Sequence, residues 1–509
     1  MAHGDAGALL MVLYRVRDTD YISARTILIL LLLYFVTPRK WKVLQAMAAG
    51  SSHHQGTKVN KSYGSSHDAK ASAAKDGTSH EWTADLHRRH GPIVVLAPGM
   101  IAVSDREEIR RILVTEDWPK ASAIYNNFRQ NPDRPTLLAF TDKKAYAVRK
   151  RMVSSMFGIR YIRGMQPIMR ECVNIALKQL ADACAASPSG DAVVDIHRLI
   201  RSLAVDIIGA TTFGQTFDVV KNGSHPLPVK IERSLLLSGI FQFLPWLKGL
   251  PWFPTRDPYI DDFTRGIVEK RRETMKTTPR HDLLQTLVEA VDDSPQSPFQ
   301  TSDLQDEVVV LLTAGSETTA NAEIFLLMLL AKHPDKLAKL HREIDQFYPD
   351  PDRETTAELA PQMRYLQACI DETMRLFPAM ASGSPRETTE NTTVLGYHIP
   401  KGTTVFPTTA TLHRQPELWD RPDEFIPERW LELAADQKPS EMPFYPFSAG
   451  SRVCIGKHFA LQEMYLSVVS LLRRFDLEYV PGQDESTVFR VALQLKAGKY
   501  LMRVKPRKT

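Results

Sequence analysis

Phe447-Ser448-Ala449-Gly450-Ser451-Arg452-Val453-Cys454-Ile455-Gly456 sets one cysteine between two glycines, behind an aromatic ring and beside an arginine. From Lys457 to Arg474 apolar residues recur at helical spacing, so Cys454 is expected just ahead of a helix N-terminus. Unpaired backbone N–H groups and the positive end of the helix dipole stabilise an anion there, which favours a thiolate, with Arg452 adding positive charge. Gly450 and Gly456 lack a Cβ and let the backbone turn tightly and approach a large flat ligand. The plainer alternative is a tight turn around a buried structural cysteine.

A second stretch, Ala314-Gly315-Ser316-Glu317-Thr318-Thr319, interrupts an apolar run in a long helix. Ser302-x-x-Gln305 reads as its capping box, Asp303, Asp306 and Glu307 suit its positive end, and Pro334 stops it after His333. At roughly thirty residues it spans about 45 Å, enough to cross a domain. A glycine in its middle costs about 1 kcal/mol relative to alanine, so something needs the space. Leu311, Gly315, Thr318 and Ala322 share a face and make a shallow groove with one hydroxyl, which can also bond back to the Ala314 carbonyl. A close helix crossing explains the glycine and alanines but not an acid beside a threonine.

Phe447, Gly450, Arg452, Cys454 and Gly456 fill all five marked positions of Phe-x-x-Gly-x-Arg-x-Cys-x-Gly, and the chain resembles the cytochrome P-450 family of haem-thiolate monooxygenases over roughly residues 81–505. The resemblance implies a mainly α fold with small β-sheets (α+β), with haem b (iron protoporphyrin IX) between a long central helix and the cysteine-ligand loop. Cys454 then holds the iron. Thr318 and Glu317 match the acid-alcohol pair that delivers protons to bound dioxygen, and Gly315, Phe447, Arg452 and the Ser384-Pro385-Arg386 arginine fall on cofactor-binding positions. In the basic amphipathic segment from Lys143 to Phe157, the family's aromatic and arginine fall on Tyr146 and Lys150, with Arg149 or Arg151 as alternatives; a solvated basic face is the plain reading. Glu372-x-x-Arg375 and Arg429 of Pro427-Glu428-Arg429-Trp430 match the family's buried structural triad. Ala379 to Pro385 and Val488 to Leu493 match pocket-lining segments, and Ala121 to Thr141 the pocket lid.

The rest of the chain sets limits. Its 509 residues, 43% apolar and 24% charged, are ordinary for a large globular enzyme, and a net charge of +5 gives no reason to expect nucleic acid as a partner. Four cysteines without a Cys-x-x-Cys pair argue against a zinc site or a disulfide framework. Residues 1–45 read as an N-terminal membrane anchor and basic flank, with Tyr21 to Val36 as the apolar core and Arg39, Lys40 and Lys42 staying cytosolic; an interfacial or cleaved segment is the alternative. Residues 46–80 read as a flexible linker that adds nothing to the core, and 81–509 as the catalytic domain. An aromatic and proline-rich region between Phe213 and Pro258 reads as a channel cover, a membrane-dipping patch or core. Without a flavin or dinucleotide motif, electrons are expected from NADPH-cytochrome P-450 reductase, with cytochrome b5 as a further candidate, docking on Lys143, Lys144, Arg149 and Lys457. The expected substrate is a lipophilic small molecule, and the expected location is the endoplasmic reticulum membrane with the catalytic domain facing the cytosol. Competing readings are a haem-thiolate isomerase or dehydratase that uses no dioxygen, and a non-catalytic haem-binding protein.

Overall fold

The structure is a computed structural model that describes residues 76–507 apart from 130–133, 228, 231–233, 235–256, 276, 278–281, 295–296, 298 and 433–441. The expected anchor, most of the linker, and Phe241, Trp246 and Trp252 of the aromatic region lie outside the described residues. Among the described residues no helix is long and apolar enough to cross a membrane.

Helices dominate: α1 (Ser79–His90), α2 (Lys143–Ser154), α3 (Gln166–Ala185), α4 (Ile196–Phe213), α5 (Pro258–Thr274), α6 (Thr301–Lys332), α7 (Pro334–Phe347), α8 (Arg364–Leu376) and α9 (Lys457–Arg474). The long helix α6 begins one residue before the expected capping box. Gln300 is its N-cap, and the Asp303 carboxylate accepts the Gln300 N–H at 2.7 Å. His333 leaves helical geometry and Pro334 starts α7, where its missing N–H costs nothing. Leu326, Leu327 and Leu330 of α6 are fully buried in the main core together with α3, α4, α8 and α9. Truncating any one of them to alanine removes about 2–5 kcal/mol. Phe325 and Phe377 stack at 4.4 Å and fasten α6 to the end of α8.

The sheets sit at the edges. β1 (Ile93–Ala97) and β2 (Met100–Val103) form a hairpin, and β2 pairs in parallel with β7 (Thr404–Pro407), which pairs antiparallel with β4 (Arg386–Glu387). β5 (Thr392–Val394) pairs with β6 (Tyr397–Ile399), and β9 (Thr487–Phe489) with β10 (Leu493–Leu495). β3 (Ala192–Asp195), β8 (Phe475–Tyr479) and β11 (Leu501–Pro506) make a three-stranded sheet around β11. β3 lies between α3 and α4.

The linker boundary needs correction. Ordered packing begins before Glu81: Gly77 is buried at φ +76°, a Cβ there would sit 2.9 Å from Val488 Cβ, and its carbonyl accepts the Phe489 N–H at 2.7 Å. The chain therefore enters the domain as a short strap on the β9–β10 hairpin.

Candidate functional site

Cys454 leads into α9 with Gly456 as the N-cap. Its backbone N–H donates to the Phe447 carbonyl at 2.9 Å, closing the loop. The cysteine is solvent-accessible although its thiol lies deep within the molecular envelope, as for a group facing an internal cavity. Burial pushes the thiol up, against the lowering effect of the Gly456 and Lys457 N–H groups and the Lys120 and Lys457 charges, so its pKa stays above the ordinary cysteine value. The helix-end N–H groups and the lysine charges act in the direction the sequence suggests, with desolvation opposing them. The nearby positive charge also differs from expectation: Arg452 is turned away to the carbonyls of Phe140 (2.8 Å), Thr141 and Asp142 (each 3.3 Å).

The loop glycines have separate jobs. Gly450, at φ +70°, faces the Leu113 carbonyl so closely that a Cβ would lie 1.9 Å from its oxygen. Its bareness thus serves backbone packing against the segment before Glu116. A Cβ on Gly456 would make only an ordinary contact, 3.9 Å from Cys454 Sγ. Phe447 packs at the edge of the main core with Lys457 Nζ 5.8 Å from its ring centroid.

Beside this loop is a cluster of buried cations. Arg386 is fully buried on β4, and only its Nη1 has a partner, Ser384 Oγ at 3.2 Å; Nε and Nη2 have none. Arg452 is buried over the Tyr146 ring, 3.7 Å from its centroid, and its Nε also lacks a partner. Lys120 bridges to Arg386 as an isolated β-pair and donates to the Leu138 carbonyl at 2.7 Å. Burial, reinforced by Arg452 and Arg386, brings its pKa down to about 7. Burying cations with unspent N–H groups is costly unless an anion completes them. Two carboxylates of a haem fit that need, and Arg386, Arg452, Lys120 and Tyr146 are the residues suited to hold them.

Lys120 is missing from the sequence reading. A lysine after Trp118-Pro119 has no spacing or motif that marks burial. Lys150, by contrast, reaches the Ser451 carbonyl at 2.9 Å on the outside of the loop. Arg149 is removed from both roles considered for it. It is buried on α2, donates to Glu307 at 2.8 Å and lies 3.8 Å from Asp303, so it belongs to the core and not to a docking face. Lys143, Lys144, Arg151 and Lys457 are exposed.

On α6, Thr318 Oγ1 bonds back to the Ala314 carbonyl at 2.8 Å, as its position suggests, and Thr313 and Ser316 do the same to Val309 and Leu312. Three such bonds in one turn and a half loosen the helix's own ladder. Where a Cβ of Gly315 would lie, Ile208 Cδ1 of α4 stands 2.7 Å away, so this glycine also admits a close helix crossing. Glu317 is ion-paired to Arg201 of α4, a partner for which the sequence carries no signal.

Glu372 and Arg375 are both fully buried and 2.9 Å apart, and Glu372 also accepts from Arg429 Nε at 3.1 Å and Trp430 Nε1 at 2.9 Å.

A family profile described as Cytochrome P450 matches residues 70–503. The chain is 57% identical over 480 residues to the cytochrome P450 monooxygenase acrD of Aspergillus aculeatus, covering 93% of this chain and 95% of that relative. It is 60% identical over 434 residues to the cytochrome P450 monooxygenase LUC2 of a Fusarium species, covering 85% and 84%. It is 56% identical over 412 residues to the cytochrome P450 monooxygenase mpsF of Macrophomina phaseolina, covering 80% and 100%. A crystal structure of a cytochrome P450 (CYP102L1) shares the fold with a TM-score of 0.72 at 23% identity, over 84% of this chain and 94% of that one. The chain belongs to the cytochrome P450 family and is an oxidoreductase, a haem-iron monooxygenase.

Proposed function

We propose that the chain uses haem b, with the Cys454 thiolate on the iron, to insert one oxygen atom of dioxygen into a lipophilic small molecule while the other leaves as water. The observation that carries this reading is the cation cluster beside the Cys454 loop, in which Arg386 Nε and Nη2 and Arg452 Nε have no partner among the described residues. When bound, the haem supplies oxygen activation, and the thiolate favours O–O cleavage. The chain's own contribution is positional and protonic. Arg386, Arg452 and Lys120 neutralise and orient the haem carboxylates. Thr318 offers a hydroxyl where α6 is locally loosened, and Glu317, steadied by Arg201, is the acid that resupplies protons through water.

Electrons arrive from NADPH-cytochrome P-450 reductase, with cytochrome b5 as a further donor, at a basic face made of Lys143, Lys144, Arg151 and Lys457. The location is the endoplasmic reticulum membrane, with residues 1–45 as anchor, 46–76 as linker and the remainder as a catalytic domain facing the cytosol. The basic flank of Arg39, Lys40 and Lys42 and four free cysteines support that orientation.

The reduced carbonyl complex is expected to show a strongly red-shifted Soret band that Cys454→Ala abolishes; an unchanged band rules out Cys454 as the ligand. NADPH-dependent oxygen uptake with substrate is expected in the presence of reductase. Thr318→Ala should slow product formation by about 100-fold or more while diverting reduced oxygen to peroxide. Turnover that needs neither NADPH nor dioxygen would replace this reading with an isomerase or dehydratase.

A further inference from the structure

Two carboxylates lie in the seam between α6 and α9, and neither has a part in the chemistry above. Glu323 follows Thr318 by five residues and is 1% exposed; Glu463 follows Cys454 by nine and is 2% exposed. Among the described residues, no arginine, lysine or histidine charge acts on either. Burial dominates both, followed by the Ser467 hydroxyl for Glu323 and the Glu323 charge for Glu463. Of the other elements packed on α9, α3 carries the Cys172 thiol, which feels the Glu463 charge, and Tyr348, just after α7, hydrogen-bonds Tyr465.

Counting hydrogens limits the charge this seam can hold. Ser467 Oγ lies 2.7 Å from Glu323 Oε1 and 2.9 and 3.3 Å from the carbonyls of Glu463 and Met464. A hydroxyl has one hydrogen. If it is spent on a helix carbonyl, the contact with Glu323 needs a hydrogen on the carboxyl. Glu463 Oε2 has no partner. An ionised carboxylate left like that costs several kcal/mol, and two in one seam repel as well.

We propose that Glu323 and Glu463 form a carboxylic acid pair that keeps a proton at neutral pH and so positions the oxygen-side helix against the helix that follows Cys454. They are positioning residues, since neither touches the reacting groups. Burial raises both carboxyls, Glu323 to about 7 and Glu463 well above the ordinary carboxylate value. A raised carboxyl leaves the fold at full stability below the unfolded value of about 4.3 and weakens it as pH climbs through the folded value. Alkaline pH therefore loads the seam with like charge and loosens the seat of the Cys454 loop.

The test uses the full-length haem-loaded protein. In difference infrared spectra at about pH 8, a carboxylic C=O band is expected in the wild type and is lost or halved in Glu323→Gln and Glu463→Gln. The glutamine variants should lose less melting temperature between about pH 5 and about pH 9 and keep the red-shifted carbonyl band to a midpoint about one pH unit higher. Absence of the C=O band, or pH curves parallel to the wild type, overturns the proposal. If the glutamine variants do not fold, Glu323→Asp and Glu463→Asp retain the acid but change its setting. A shift of the band then supports the pair, and an unshifted band overturns it.

Discussion

Arg375 and Arg386 are both fully buried, eleven positions apart, yet their guanidinium groups are treated in opposite ways. Arg375 donates to both Glu372 oxygens at 2.9 Å and to the carbonyls of His413, Pro422 and Glu424 between 2.7 and 3.1 Å. Arg386 has one hydroxyl partner and two idle nitrogens. Burial alone does not tell a structural arginine from one awaiting a ligand. The decisive quantity is how many of its donors the chain itself satisfies.

Arg375→Met should break the comparison on its structural side. It leaves Glu372 charged in the core and costs about 3–5 kcal/mol, read as a lower urea midpoint or no folded protein. Arg386→Met should leave the haem-free fold within about 1 kcal/mol of the wild type, because no internal partner is orphaned beyond Ser384. Haem release should nonetheless become about 10–100-fold faster, measured by transfer to a scavenger protein. If Arg386→Met unfolds the chain as Arg375→Met does, the distinction fails. Lys120→Met should speed haem release less, about 10-fold, since its ammonium already has the Leu138 carbonyl. Lys150→Met is expected to stay within about twofold of wild type on the same measurement, because Lys150 is bound to the outside of the loop.

Legibility in the sequence followed the range of the interaction. Cys454, the α6 interruption and the Glu372–Arg375 pair are local patterns, and the helices that carry them formed close to the expected boundaries. The back-bond from Thr318 to Ala314 was legible because it depends only on helical spacing. Lys120, Arg201 and the Glu323–Glu463 pair were not, because each acquires its meaning from a residue more than a hundred positions away. Arg149 misled for the same reason: in a run of basic residues nothing marks the one that turns inward to Glu307. The expected thiolate shows a different limit. Helix-end position is visible in sequence, whereas the desolvation that opposes it exists only after packing.

The parallel pairing of β2 with β7 and the bridge from Lys120 to Arg386 have a consequence for biosynthesis. The early strand and the lysine leave the ribosome roughly 270 to 300 residues before their partners, and Cys454 emerges later still. At about 5–20 residues per second that is a wait of many seconds, during which the N-terminal part of the cofactor cradle has no counterpart. Haem capture thus belongs to the almost finished polypeptide. A ribosome that stalls before residue 454 releases a chain that has most of the helices and lacks the proposed iron ligand.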